Sequence, residues 1–315
     1  ISQDHKGFMW FGTKDGLNRF DGVEYTIYRK GRDSVSAPGN NLIRCMEHHG
    51  IDTLWVGTDA GVYVMNTATG SFTRFDLMSK TGEPIDCNVN ALCFDKMDRL
   101  WLSTNKGVCL YELTSDRLCQ FGREELPSVV SWSVYEDRSG TIWIGTRGGL
   151  LKYDEVTESF VRQGADSSNE IGQDEAFSIL EDKDGQLWIG TWSGGLKMLD
   201  RINNRFISFY GPESPVFISH IRALMEYSED RLLIGSDDGL YLFNRKTAAL
   251  ERMDRPGGLQ GLSDQNVYSI FRDKEGGDWI GSYFGVVNYF IYVNHAFVNY
   301  SSDLALRSLT GNTFV

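Results

Sequence analysis

Eight side chains in this sequence have the types that recognise a polyhydroxylated ligand: the rings of Trp132, Trp192, Tyr268 and Tyr283, and the polar or charged groups of Arg147, Glu175, His220 and Arg222. Sugar C–H faces stack on aromatic rings, and hydroxyls need the donors and acceptors that the other four supply. Acid–base chemistry would need groups that converge, and here only Glu175, His220 and Arg222 could approach one another. The chain has no G-x-S-x-G, H-E-x-x-H, G-x-x-x-x-G-K-S/T or G-x-G-x-x-G, so no catalytic residue is assigned. The five histidines show no ligand spacing, and neighbours such as His48 and His49 point to opposite sides of a strand. The five cysteines lack a C-x-x-C spacing and read as small buried hydrophobes, with one disulfide as the alternative. Neither a metal nor a cofactor is expected.

The elements that must position these side chains are repeats. "DGQLWIGTWSGGL" (184–196) is echoed at 7–17, 52–62, 98–108, 140–150, 230–240 and 276–286. Its apolar anchor falls at Trp10, Trp55, Trp101, Trp143, Trp188, Leu233 and Trp279, with spacings of 45, 46, 42, 45, 45 and 46 residues. Such regularity makes residues 1–315 one array. Ser193 sits in a column otherwise held by Asp15, Ala60, Lys106, Gly148, Asp238 and Phe284, which marks a hairpin turn and not a nucleophile.

Each unit divides into four strand-length runs. In the fifth they are 176–181, 186–191, 196–200 and 205–210, separated by Gly, Asp and Asn turn signals. Asp182 and Gly185, like Asp137 and Gly140, can cap and close the first turn, and His48 is read into the same aspartate column. "DKDG" (182–185) lacks the further oxygen ligands of a calcium loop. The first run is apolar on both faces, so both must meet neighbouring sheets. These features predict an all-β, seven-bladed β-propeller of four-stranded antiparallel blades, with the Trp of each second strand wedged between sheets. Residues 312–315 followed by 1–4 match 266–273 in length, and Trp279 leads round to Trp10 in 46 residues. The ring is therefore expected to close by pairing of the N- and C-terminal segments.

The start of each first strand and the loop between second and third strands must share a face, and there the copies differ. The leading columns hold Asn41 and Ile43, Asn88 and Asn90, Val130 and Trp132, Glu175 and Phe177, His220 and Arg222, Asn266 and Tyr268, and Asn312 and Phe314. The loop column holds Lys14, Asp59, Asn105, Arg147, Trp192, Asp237 and Tyr283. The eight candidate ligand-binding residues come from these sets. The alternative is that Trp132, Phe177, Tyr268 and Phe314 pack between blades while the polar members line a water-filled axis.

A net charge of −12 opposes nucleic acid and anionic membrane surfaces as partners. The apolar run 286–300 is too short and interrupted to span a bilayer and reads as paired strands. A start at Ile1, without a signal peptide, suggests a piece of something longer.

The repeat wording, seen best in "EAFSILEDKDGQLWIGTWSGGL" (175–196) and "VSWSVYEDRSGTIWIGTRGGL" (130–150), resembles the two-component-regulator propeller repeat. The likeness runs through the whole chain and departs at Leu233, at Ser103 and in the seventh unit. It implies the periplasmic sensor region of hybrid two-component systems of Bacteroidetes, non-enzymatic itself and responsive to oligosaccharides. Implied partners are an oligosaccharide, further domains of the same sensor (a second propeller and an immunoglobulin-like domain, ahead of a membrane helix and a kinase), and a second copy in a homodimer. A glycan-acting propeller enzyme and a protein-binding scaffold are the other two readings.

Overall fold

The four runs of each repeat become four paired strands. A computed structural model describes residues 1–30, 39–78, 85–164, 174–253, 262, 264–284, 287–291 and 296–300 and arranges them in seven four-stranded antiparallel sheets, each a meander in chain order. In the fifth, Ala176–Glu181, Leu187–Thr191, Leu196–Asp200 and Arg205–Phe209 pair in succession. The interrupted apolar run near the end is the pair Val287–Ile291 and Ala296–Tyr300. First strands of consecutive sheets are neighbours around an axis, and the described residues contain no helix. The fold is a seven-bladed β-propeller.

The first blade meets the seventh as the internal blades meet one another. Phe11 and Trp279 lie 5.4 Å apart, centroid to centroid, in a shared apolar cluster. The Gln3 Oε1 accepts the Lys274 backbone N–H at 2.7 Å. Glu136, Glu181 and Glu226 do the same for Lys96, Arg138 and Lys183 of the preceding blades. The ring thus closes in the register of its internal joints; residues 312–315, expected to complete the first strand of that blade, lie outside the described residues.

The tetrapeptide that defines the repeat has one task per residue. Each of Trp10, Trp55, Trp101, Trp143, Trp188, Leu233 and Trp279 is buried between sheets, so bulk is what the position requires. The glycine two places on lies against the next blade: a Cβ on Gly190 would come within 2.5 Å of Ile221 Cγ2 and closer still to Ser178 Oγ. The buried hydroxyl after it locks the following loop. Thr191 Oγ1 donates to the Gly195 carbonyl at 2.7 Å and accepts the Gly194 N–H at 2.9 Å. Thr13, Thr58, Thr104, Thr146 and Ser236 close their loops the same way.

Turn aspartates cap their turns as expected, and they also hold the wedges. Trp10, Trp101, Trp143, Trp188 and Trp279 each donate the indole N–H to an aspartate six residues earlier, at 2.7–2.9 Å. In the second blade the structure shifts the expected alignment by one residue. Glu47 pairs with Trp55 as Leu180 pairs with Trp188, so His49, not His48, takes the aspartate place, and Arg44, not Ile43, matches Trp132 and Phe177. "EHHG" aligns Glu47 with Glu181 by type, but pairing across the turn decides otherwise. His49 cannot reproduce the carboxylate, and Trp55 Nε1 is buried without a hydrogen-bond partner among the described residues. Replacing His49 by Asp should therefore raise unfolding free energy by about 1 kcal/mol, the net value of one regained hydrogen bond. Thermal or urea melts check this, and a loss of similar size would show that the stack of His49 on Phe94, at 3.7 Å, and its contact with Asp98, at 3.0 Å, together contribute more than the bond to Trp55.

All five cysteines are free thiols, with Cys87 and Cys109 buried in the apolar cluster between the second and third blades. Burial pushes both thiols above their ordinary pKa, so they behave as small hydrophobes.

Candidate functional site

A local irregularity aims the side chains of the site. In six blades the pairing of first and second strands skips one residue, a β-bulge, and the skipped residues are Arg44, Asn90, Trp132, Phe177, Arg222 and Tyr268. A bulge leaves one residue without a ladder partner and turns its side chain away from the alternation of the strand. Here all six turn to the same place. Together with Lys14, Leu42 and Tyr283 they line a cavity of about 360 Å³, so that every blade contributes to it. It therefore lies at one mouth of the ring axis.

The loops between second and third strands form the rim of that mouth. Their backbones are tied to the strand starts: Asp59, Asn105, Arg147, Trp192 and Tyr283 each donate an N–H to the carbonyl of Leu42, Asn88, Val130, Glu175 and Asn266, respectively. Strand starts and loops thus share a face, as the alternation of strand directions requires.

The eight sequence candidates meet in one arc across blades four to seven. Trp132, Arg222, Tyr268 and Tyr283 line the cavity itself. Glu175 joins Trp132, whose indole N–H it accepts at 3.0 Å, to Arg147, which pairs with it at 3.1 Å and is 67% exposed. Trp132 stacks on Phe177 at 4.7 Å, and Phe177 on Trp192 at 5.1 Å. His220, held at φ +52°, contacts the Trp192 ring at 3.9 Å edge-on and Asp237 at 3.4 Å. Trp192, Arg147, Glu175 and His220 therefore buttress the cavity and do not line it.

Arg222 is the hub of this arc. Asp237 holds its Nε at 2.6 Å and its Nη2 at 3.2 Å, while the guanidinium lies 4.1 Å from the Tyr268 ring centroid, 4.9 Å from Trp192 and 5.5 Å from Phe177. Such a cation is favoured by the ring faces and kept in place by its carboxylate. Tyr268 and Tyr283 lie 5.1 Å apart, and Lys14 sits 3.8 Å over Tyr283. Burial raises the Tyr268 hydroxyl above its ordinary pKa, despite the opposing charge of Arg222, and keeps it a neutral donor.

Sequence reasoning misses Arg44, Asn90, Lys14 and Leu42 as cavity residues and does not single out Phe177. The first is lost through the one-residue slip in the second blade. Asn90 and Lys14 stand in the varying columns from which the eight candidates come. Glu175 and His220 do not converge on a common point: the carboxylate of one serves Trp132 and Arg147, while the ring of the other faces Trp192 and Asp237. Among the described residues there is no cluster of three or more His, Cys, Asp or Glu suited to a metal.

Known proteins show the same fold. An extracellular domain described as that of a hybrid two component system of B. thetaiotaomicron is 26% identical with a TM-score of 0.73. A structure described as the extracellular domain of a one component system of that organism is 24% identical with a TM-score of 0.75. Both comparisons cover 89% of this chain but only 36% of the other, so the chain spans about a third of the length of those extracellular domains. The virginiamycin B lyase of Staphylococcus aureus shares the fold at 11% identity, with a TM-score of 0.64 and coverage of 84% and 85%. No curated protein matches the sequence. The sequence model of the two component regulator propeller matches residues 125–148 and 170–193, which carry the fourth and fifth blades' share of the site. This chain is a seven-bladed β-propeller that carries two component regulator propeller repeats.

Proposed function

We propose that this propeller is a ligand-recognising part of the periplasmic region of a hybrid two-component sensor, and that it binds an oligosaccharide at the axial mouth without turning it over. The observation that carries this reading is the convergence of bulge residues from six blades on one cavity walled by Trp132, Phe177, Tyr268 and Tyr283. Its volume lies in the range of small-molecule sites, and ring faces mixed with Asn90 and guanidinium donors suit C–H and hydroxyl groups together. The extracytoplasmic placement rests on the B. thetaiotaomicron domains of like fold. The remaining two thirds of such an extracellular domain would supply a second propeller and an immunoglobulin-like domain, with the membrane helix and the kinase lying beyond it and a homodimer as the signalling arrangement.

A second reading, a glycan-acting enzyme, draws on the His220–Asp237 contact beside the cavity. One experiment separates these readings. The chain is incubated with a panel of glycans while thermal shift and products are followed. A shift without products supports recognition, product formation supports the enzyme, and neither effect across the panel supports a protein-binding scaffold. Under the first reading, Trp132→Ala or Tyr268→Ala weakens binding more than about thirtyfold, the loss expected of an aromatic hot spot worth roughly 2 kcal/mol. Binding that survives both changes places the site elsewhere.

A further inference from the structure

We infer that the occupant of the axial cavity is an anionic saccharide, with a carboxylate or a sulfate ester held between Arg222, Arg44 and Lys14; this deepens the reading above and rests on it. The chain carries twelve more acidic than basic groups, yet the residues lining the cavity include three cations and no carboxylate. The acids of the region stand behind the cations. Asp59 takes Nε of Arg44, and Asp237 takes Nε and Nη2 of Arg222.

These two pairs occupy equivalent places in blades two and six, with the arginine on the bulge and the aspartate fifteen residues later in the loop. Three blades separate them one way round the ring and two the other, so the two pairs stand on opposite sides of the mouth. A carboxylate that grips the Nε edge of a guanidinium orders the side chain and directs its other donors away from itself. Among the described residues Nη1 of Arg222 and Nη2 of Arg44 have no hydrogen-bond partner, and Arg44 Nη1 reaches only Asn90 at 3.3 Å. Lys14 has no acid partner among the described residues either and lies over Tyr283, at the cavity wall. A neutral sugar would offer these donors hydroxyl oxygens but no charge to match theirs. A carboxylate or sulfate satisfies them and adds the attraction of Lys14, which no fixed charge cancels.

Three tetrasaccharide probes test the inference by calorimetry: a galacturonate oligomer, a chondroitin sulfate oligomer and the neutral galactan that carbodiimide and borohydride reduction of the galacturonate yields. At least one acidic probe should bind roughly ten- to a hundredfold more tightly than the neutral one, the worth of one charge-assisted hydrogen bond. Because the chondroitin oligomer carries uronate carboxylates as well as sulfate esters, its desulfated form is run beside it: affinity kept on desulfation identifies a carboxylate, and affinity lost identifies a sulfate. Arg222→Gln combined with Asp237→Asn removes donor and partner together and leaves no buried charge unpaired. It should cost the acidic probe roughly tenfold more affinity than it costs the neutral one, the worth of a charge-assisted over a neutral hydrogen bond, and Lys14→Met should likewise narrow the gap between the two probes. Affinity of the acidic probe for the unaltered protein should also fall with added salt. Equal affinity for acidic and neutral probes, a preference that the paired variant keeps in full, or no binding of either acidic probe overturns the inference. Equal binding lost in Trp132→Ala would still leave the axial site standing, whereas acidic binding that survives Trp132→Ala and Tyr268→Ala refutes the site itself.

Discussion

Replacing Asp182 by Ala is expected to lower the unfolding free energy by about 3–5 kcal/mol, the cost of removing one partner from a buried ion pair. Asp182 is 1% exposed and serves two blades. Its Oδ1 accepts the N–H groups of Asp184 and Gln186 at 3.0 and 2.9 Å, and its Oδ2 accepts Trp188 Nε1 at 2.8 Å and the guanidinium of Arg245 from the sixth blade. Alanine would strand a buried indole N–H and take from Arg245, itself 8% exposed, its one fully buried carboxylate, leaving that cation the more exposed Asp184 at 3.0 Å and Glu226 at 3.9 Å. Asp182→Asn keeps an acceptor for Trp188 and loses only the charge, so its cost should be intermediate. Urea unfolding at neutral pH measures both, and a loss under about 1 kcal/mol for the alanine variant would refute the latch. The pH dependence has a definite sign. Burial alone would raise this carboxyl, but hydrogen bonds from Trp188 and Gln186, together with Arg245, outweigh it and hold it below its usual value. The stabilisation is thus complete above the unfolded carboxyl value of about 4 and is lost as pH falls through the lower folded one. Asp137 has the same arrangement with Trp143 and Arg201, and its carboxyl is lowered in the same direction.

These latches explain how the ring can keep its frame while its mouth varies. The aspartates lie in the turns between first and second strands, and Arg201 and Arg245 in those between third and fourth, both at the end of the ring opposite the cavity. Side chains at the mouth are freed from that duty by the buried threonine, which closes each loop through main-chain groups alone. Lys14, Asp59, Trp192 and Tyr283 can therefore differ in type at one loop position without cost to the ladder beneath them.

Much of this is legible in the residues. Seven anchors at near-constant spacing specify the number of blades, and glycines with aspartates three residues before them specify turns, because few other residues satisfy the backbone there. Leu233 already shows that bulk and not the indole is needed at that place. The Asp–Trp bond is also present in the sequence as a spacing of six, kept in five blades, lost at one end in His49 and at both ends in Tyr227 and Leu233. The bulge is not legible. An extra residue in a strand that is apolar on both faces disturbs no alternation, so nothing in "SWSVYE" (131–136) marks Trp132 as the residue without a ladder partner. The same two-sided character allows the one-residue slip in blade two that hides Arg44. Register there is set by cross-strand pairing and by contacts with the next blade, which a single chain of letters does not display.

Glu47 gives the fold a second, opposite response to pH. It stands on the first strand of the second blade, Ile43–His48, and its carboxylate accepts the Phe94 N–H of the next blade at 3.4 Å. Burial raises its pKa to about 7, and the hydrogen bond from Phe94 offsets only part of that. A raised carboxyl works in the reverse sense to Asp182: the folded protein keeps a proton that the unfolded chain has released. Stability from this group is present below the unfolded value of about 4 and is lost as pH rises through about 7. Glutamine keeps an acceptor for Phe94 and never ionises. Glu47→Gln should therefore match the unaltered protein near pH 4 and exceed it by about 2 kcal/mol near pH 8, since a tenfold change in proton affinity corresponds to about 1.4 kcal/mol and partial access of water reduces the total. Comparing the two proteins removes the contribution of His48, which burial lowers and which titrates equally in both. A difference in unfolding free energy that stays constant from pH 4 to pH 8 would mean that Glu47 titrates in the folded protein as it does in the unfolded chain, and would overturn the burial argument.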